Sequence, residues 1–156
     1  MAHLVIDIGN SRTKFATFYK GKLEESGTID RLDTAQLNLL LENHKITHSI
    51  ISSVNDEISK LEDILKDRTK YIRFSSSVKA GVINKYKSPE TLGLDRFAGV
   101  IGAKSLFPDT NCLVIDAGTC ITYDAVDGAG IYEGGSISPG LKMRLKAMHK
   151  FTGRLP

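Results

Sequence analysis

The sequence predicts an α/β protein made of two matching lobes, and three observations carry that prediction. Apolar residues are 41% of the 156, yet aromatics are only 7% and Trp is absent. The core therefore has to be built from Ile, Leu, Val and Ala, which suits sheets covered by helices. From Thr47 onward, short apolar runs alternate with stretches of helical spacing, an order that favours parallel strand pairing. Finally, Leu113-Val114-Ile115-Asp116-Ala117-Gly118 repeats Leu4-Val5-Ile6-Asp7-Ile8-Gly9. In each copy an apolar run closes on Asp, one apolar residue and Gly, and small or hydroxyl residues lead into another strand.

Taken in order, residues 4–8 form the first strand, Gly9-Asn10-Ser11 supplies turn chemistry, and 14–19 returns as the second strand of a hairpin. Lys20-Gly21 turns the chain into a third strand over 23–29. Asp33-Thr34 is placed to cap a helix with Leu37, Leu40 and Leu41 on one side. A buried strand follows over 47–54, then a helix over 56–66 with Ile58, Leu61, Ile64 and Leu65 at helical spacing, then a short strand over 71–74. Ser, Gly, Asn, Lys and Pro89 mark 75–92 as a loop region, before a helix over 95–107 that Pro108-Asp109 ends. The first lobe is expected over 1–108 and the start of the second over 109–156. There the Lys-rich stretch 142–150 reads as the solvated face of a helix.

Charge narrows the function. Lys plus Arg number 21 against 18 Asp plus Glu, a net +3 with neither sign in long blocks. That is too mild and too dispersed for a nucleic-acid surface, though it can draw anionic substrates. Nothing resembles a signal peptide or a membrane-spanning run, so the cytoplasm is the expected compartment, without a membrane partner. Cys112 and Cys120 sit in an apolar stretch across an expected hairpin, and in a reducing compartment they read as two buried thiols rather than a bridge. His3, His44, His48 and His149 are scattered and make no metal cluster with them.

The repeated turn is where chemistry is expected. A tight turn of Gly with Asn, Ser or Thr between buried strands leaves backbone N–H groups directed into a concavity that suits phosphate oxygens. The preceding Asp can hold a metal ion or its water shell, and Lys14 can neutralise phosphate charge. Either stretch alone is equally consistent with a plain hairpin, because Asp-x-Gly is common at turns. A carboxylate at a buried strand end is costly, and meeting that cost twice at equivalent places favours function. Neither the G-x-x-x-x-G-K-[ST] nor the G-x-G-x-x-G spacing follows a strand, which sets those nucleotide loops aside.

Four motifs in order carry a family resemblance. Asp7-Ile8-Gly9-Asn10-Ser11-Arg12-Thr13-Lys14 resembles a phosphate motif written D-x-G-N-T-x-x-K, with Ser11 in place of the usual Thr. Gly93-Leu94-Asp95-Arg96 with Gly102-Ala103 resembles the second motif. Asp116-Ala117-Gly118-Thr119-Cys120-Ile121-Thr122-Tyr123-Asp124 resembles the third, and Gly134-Gly135-Ser136-Ile137-Ser138-Pro139-Gly140-Leu141 a fourth. The family is the type III pantothenate kinases, and the resemblance runs the length of the chain.

The resemblance implies an actin-like ATPase fold of duplicated ribonuclease H-like lobes, the second incomplete here, because family members continue well beyond Pro156. It implies transfer of the γ-phosphoryl group of ATP to pantothenate, the first step toward coenzyme A, with Mg²⁺ or a similar divalent ion, a monovalent cation (K⁺ or NH₄⁺), and a homodimer. Asp95 is then the proton acceptor, and Tyr86, Gly93, Leu94, Asp95 and Arg96 are the pantothenate set. Asp7, Ile8, Gly9, Asn10, Ser11, Arg12, Thr13, Lys14 and Thr119 are the ATP set. Asp116 matches a monovalent cation ligand, and Asp7 is placed near the divalent ion. A primary alcohol is a poor nucleophile, so a carboxylate within hydrogen-bond reach has to take its proton. For Arg96 two uses stay open: pairing its guanidinium fork with a substrate carboxylate, or a salt bridge to Asp95 at a helix start. Relatives labelled transcriptional activators raise a regulatory alternative, which the absence of a basic recognition helix disfavours. Sugar or acetate kinases and exopolyphosphatases share the fold. Unpaired strand edges and an uncovered sheet face are expected to make the chain poorly soluble or dependent on a partner.

Overall fold

Alternation in the first strand sets the first core. In a computed structural model, which describes residues 1–9, 12–53 and 58–154, β1 (Ala2–Ile8) buries Ala2, Leu4, Ile6 and Ile8 and turns His3, Val5 and Asp7 to its other face. It pairs antiparallel with β2 (Thr13–Tyr19), which pairs with β3 (Lys22–Ile29), and parallel with β4 (His48–Ser53), which pairs with β5 (Lys70–Arg73). The five-stranded order is β3-β2-β1-β4-β5. Helix α1 (Thr34–Asn43) begins in a reciprocal cap. The Gln36 N–H donates to Asp33 Oδ1 at 2.8 Å, and the Asp33 N–H donates back to Gln36 Oε1 at 3.2 Å. Leu37 and Leu41 of α1 and Leu61 and Leu65 of α2 (Ser59–Arg68) close the core against β1 and Ile51. The beginning of the helix expected at 56 and the end of the strand expected at 54 lie outside the described residues.

The second sheet follows the order β6-β9-β8-β7. Strands β7 (Cys112–Ala117), β8 (Cys120–Val126) and β9 (Ile131–Pro139) run as an antiparallel meander, and β6 (Ile83–Asn84) joins parallel to β9. Strand β6 lies inside the region the sequence marked as a loop, because two residues are too few to show a period. Its backbone is nonetheless paired, with the Ile83 N–H on Gly130 O at 2.8 Å and the Lys85 N–H on Tyr132 O at 2.9 Å. Helix α3 (Leu94–Leu106) packs on β7 and β8, close enough at Gly99 that an added Cβ would sit 3.3 Å from Val114. Helix α4 (Leu141–Phe151) is exposed along its whole length.

The chain divides into compact units Met1–Ser75 and Ser76–Pro156. The division comes earlier than the position near 108 suggested by the sequence, because α3 packs on the second sheet. Cys112 and Cys120 are both free thiols, half-buried rather than buried. They stand at opposite ends of the β7–β8 hairpin, Cys112 facing Val126 and Cys120 facing Pro139, so no bridge joins them. Among the described residues no helix is long and apolar enough to cross a membrane.

Candidate functional site

In the first unit the hairpin register places Asp7 directly across from Lys14, so both side chains project from the sheet face opposite the core. Ile8 and Thr13 face each other on the core side, and both are buried. Between them the Gly9 N–H donates to Arg12 O at 3.0 Å, closing the loop, and the Arg12 side chain is exposed. Of the expected phosphate segment, Asp7, Gly9, Arg12 and Lys14 are thus presented away from the core. Asn10 and Ser11 lie outside the described residues.

The second unit repeats the plan with a tighter turn. The Gly118 N–H donates to Cys120 O at 2.9 Å, and Thr122, not a lysine, stands opposite Asp116. Asp116 and Thr119 are exposed, and the Gly140 N–H donates to Thr119 O at 3.1 Å, which ties the start of α4 to this turn. Asp116 shares a sheet face with Thr122, and with Val114 and its partner Asp124, the face on which α3 packs.

At the head of α3 the four residues Gly93-Leu94-Asp95-Arg96 divide outward and inward. Asp95 is exposed in the first turn, and its Oδ1 accepts the Arg96 backbone N–H at 2.9 Å. A Cβ on Gly93 would lie 2.6 Å from the same Oδ1, so a side chain there would turn the Asp95 carboxylate aside. Arg96 turns inward, its side chain 5% exposed. Its Nε–H donates to both oxygens of Asp124 at 3.1 and 3.0 Å, and Nη2 donates to Oδ1 at 2.6 Å. The salt bridge to Asp95 that the sequence offered as one use of the fork is therefore not formed. The Nε–Nη2 edge of Arg96 is held by a buried carboxylate of β8, and Asp95 receives only the backbone N–H.

Two tyrosines complete the cluster. The Tyr132 hydroxyl, fully buried on β9, donates to Asp124 Oδ1 at 2.7 Å. Nη1 of Arg96 donates to the Tyr86 hydroxyl at 3.4 Å, and the guanidinium carbon lies 5.5 Å from the Tyr86 ring centre. The Tyr86 and Tyr132 rings are near-parallel, with centres 6.2 Å apart, and Phe97 lies beside Tyr132. Tyr86 is set by its N–H on Asn84 Oδ1 at 3.0 Å and by Gly134, whose φ is +113° and whose missing side chain leaves room for the ring, since an added Cβ would lie 3.0 Å from it. Hydrogen bonding to Asp124 raises the Arg96 guanidinium further above its already high value, against the opposing effect of burial. Burial first, and then Asp124, push the Tyr132 phenol well up, so both groups keep their protons at any physiological pH.

The structure thus brings Tyr86 onto Arg96, while Asp95, one residue earlier on α3, stays exposed. Asp124, which closes the third motif but was given no role from the sequence, and Tyr132, which was not singled out, join Arg96 there. The available signal was a carboxylate at an inward-facing position of a strand next to Val126, where burial demands a cation. Among the described residues no group of three or more His, Cys, Asp or Glu is placed to hold a metal ion. A hard cation here would have single carboxylates, completed by phosphate oxygens and water.

The comparisons agree along the chain. Residues 3–156 match a family model described as type III pantothenate kinase. Proteins of that name are similar: one from Bacteroides fragilis (strain YCH46) is 43% identical over 155 residues, and one from Phocaeicola vulgatus is 44% identical over 158. Each alignment covers 99% of this chain and 64% of the relative, so the chain spans just under two thirds of the length of these relatives. The solved structure of the Aquifex aeolicus Ppx/GppA phosphatase, type II variant, superposes with a TM-score of 0.50 at 17% identity, covering 99% of this chain and 56% of that one. This likeness concerns the fold, and the α/β, actin-like architecture expected from the sequence stands.

Proposed function

The chain belongs to the type III pantothenate kinase family, and on that premise we propose that it serves in transfer of the γ-phosphoryl group of ATP to the terminal hydroxyl of pantothenate, giving ADP and 4′-phosphopantothenate. The observation that carries this reading is the head of α3. There an exposed carboxylate, Asp95, stands next to a cation, Arg96, fixed by its buried partner.

Asp95 accepts the hydroxyl proton as the phosphoryl group arrives. Gly93, Leu94, Arg96 and Tyr86 hold pantothenate beside it. The segment 7–14, with Asp7 and Lys14 paired across its ladder, binds the ATP phosphates, and Thr119 adds a hydroxyl from the second turn. The donors present fit hard cations. Asp7 would share a Mg²⁺ with phosphate oxygens, Asp116 would hold K⁺ or NH₄⁺, and the ions would neutralise charge on the transferring group. A homodimer in the cytoplasm is the assembly and setting this reading carries.

A coupled assay of ADP release with ATP, Mg²⁺ and K⁺, with and without pantothenate, tests it. Pantothenate-dependent turnover is expected, reduced about 10²–10⁴-fold in Asp95→Asn. Release that ignores pantothenate, or that survives the substitution, overturns the reading.

A further inference from the structure

Arg96 is a costly group to bury, and the way it is buried assigns a role to residues beyond the motif that contains it. Asp124 is 1% exposed, both of its oxygens engage Arg96, and Oδ1 also accepts the Tyr132 hydroxyl. A well-packed apolar trio of similar volume commonly matches or exceeds the stability of such a pair, so stability alone does not account for it. The pair does constrain direction. A guanidinium held along its Nε–Nη2 edge by a carboxylate cannot rotate about its terminal bonds, which fixes the direction of its Nη1 edge toward the half-buried Tyr86.

We propose that Asp124 is a positioning residue for substrate recognition: aimed by the Tyr132 hydroxyl, it locks Arg96 so that the Nη1 edge and the Tyr86 hydroxyl together present a fixed pair of polar contacts to pantothenate, next to Asp95. This rests on the kinase reading given above. Because the Arg96 charge is balanced by Asp124, the site recognises its substrate through a directed donor rather than through net positive charge. Replacing Asp124 leaves the cation in place but free to turn, and a loosely held donor binds its ligand less well without altering the ATP site.

The test compares the protein with Asp124→Asn, Tyr132→Phe, Arg96→Lys and the double variant Asp124→Asn/Arg96→Lys. Asp124→Asn is expected to raise KM for pantothenate about tenfold or more while KM for ATP changes less than about twofold. In the Arg96→Lys background the same substitution is expected to add less than about twofold, since its effect passes through Arg96. Tyr132→Phe should move in the same direction by a smaller factor, and it serves as the test where Asp124→Asn fails to fold. A second readout needs no turnover: the Arg96 Nε–H signal in ¹⁵N NMR should be protected from solvent exchange in the parent and lose that protection in Asp124→Asn, or weaken in Tyr132→Phe. An unchanged KM, an equal effect with and without Arg96, or undiminished protection overturns the proposal. Absence of pantothenate-dependent ADP release both from this chain and from one extended past Pro156 overturns the kinase reading instead, and the NMR signal alone then decides whether Asp124 positions Arg96.

Discussion

A buried tyrosine that donates to a buried carboxylate leaves a signature in pH as well as in stability. Tyr132 donates to Asp124 Oδ1 at 2.7 Å, and burial together with Asp124 raises its phenol above the ordinary value. The folded state thus holds this proton more tightly than the unfolded chain does. Its contribution is complete below about pH 10, the unfolded phenol value, and declines as pH rises beyond that. Tyr132→Phe is expected to lose about 1.5–3 kcal/mol at neutral pH, the range for a hydrogen bond to a charged group, and to show a shallower decline above pH 10. Urea unfolding at both pH values checks this; an unchanged midpoint at neutral pH contradicts it. A neighbouring residue gives a second test. Gly134 has φ of +113° and an added Cβ there would lie 3.0 Å from the Tyr86 ring, so Gly134→Ala should cost about 1–3 kcal/mol and disturb that ring. Thermal unfolding reads the first and Tyr fluorescence the second. At this scale the sequence presented Asp95 and Arg96 as adjacent motif residues. It did not reveal that they point in opposite directions, because a helix start alone leaves open which of two neighbours turns inward.

Helix α2 is tied to β5 by one carboxylate. Glu62 accepts from the Tyr71 hydroxyl at 2.5 Å and from Arg73 at 2.8 Å, with Lys66 at 3.9 Å, and its side chain is 19% exposed. The Tyr71 hydrogen bond chiefly, then Arg73, hold this carboxyl below its usual range, while burial and Glu62 push the Tyr71 phenol up to about 12. The depressed carboxylate contributes above its unfolded value of about 4.3 and loses that contribution as pH falls through its folded value. The raised phenol contributes below about pH 10 and loses it toward pH 12. Glu62→Gln should therefore cost about 1–2 kcal/mol at pH 7 and progressively less as pH falls through the lowered folded value, measured as the shift in denaturation midpoint. A cost that stays constant as pH falls would attribute the effect to packing instead. Several elements were legible in the sequence: β1 from its continuous apolar run, α1 from Asp33 and the Leu spacing, α3 from 95 onward. Strand β6 was not, because its pairing is set by β9, remote in sequence, rather than by any local pattern.

At the scale of the molecule the duplicated Asp-x-Gly turn was the feature that sequence conveyed best, since both hairpins close through a Gly N–H, the second one residue shorter than the first. The division between units was less legible, because α3 resembles any amphipathic helix until its packing on β7 and β8 is seen. That same packing covers one face of the second sheet and leaves the other bare. On the uncovered face of β7, Leu113 and Ile115 are 64% and 56% exposed, and β7 ends the sheet order, so its outer backbone edge has no neighbouring strand among the described residues. Helix α4 adds Leu141, Leu145 and Phe151, all exposed. A flat apolar strand at a sheet edge is a template for pairing with another chain, and apolar surface of this kind rarely stays in water. The protein is therefore expected to self-associate, its weight-average sedimentation coefficient rising with concentration across the micromolar range. Lysine at both Leu113 and Ile115 should abolish that rise through charge repulsion while leaving the melting temperature nearly unchanged, because neither side chain belongs to a core. A parent that sediments as a concentration-independent monomer would show that this face is tolerated in water. A Leu113→Lys/Ile115→Lys variant that still associates would move the contact to α4.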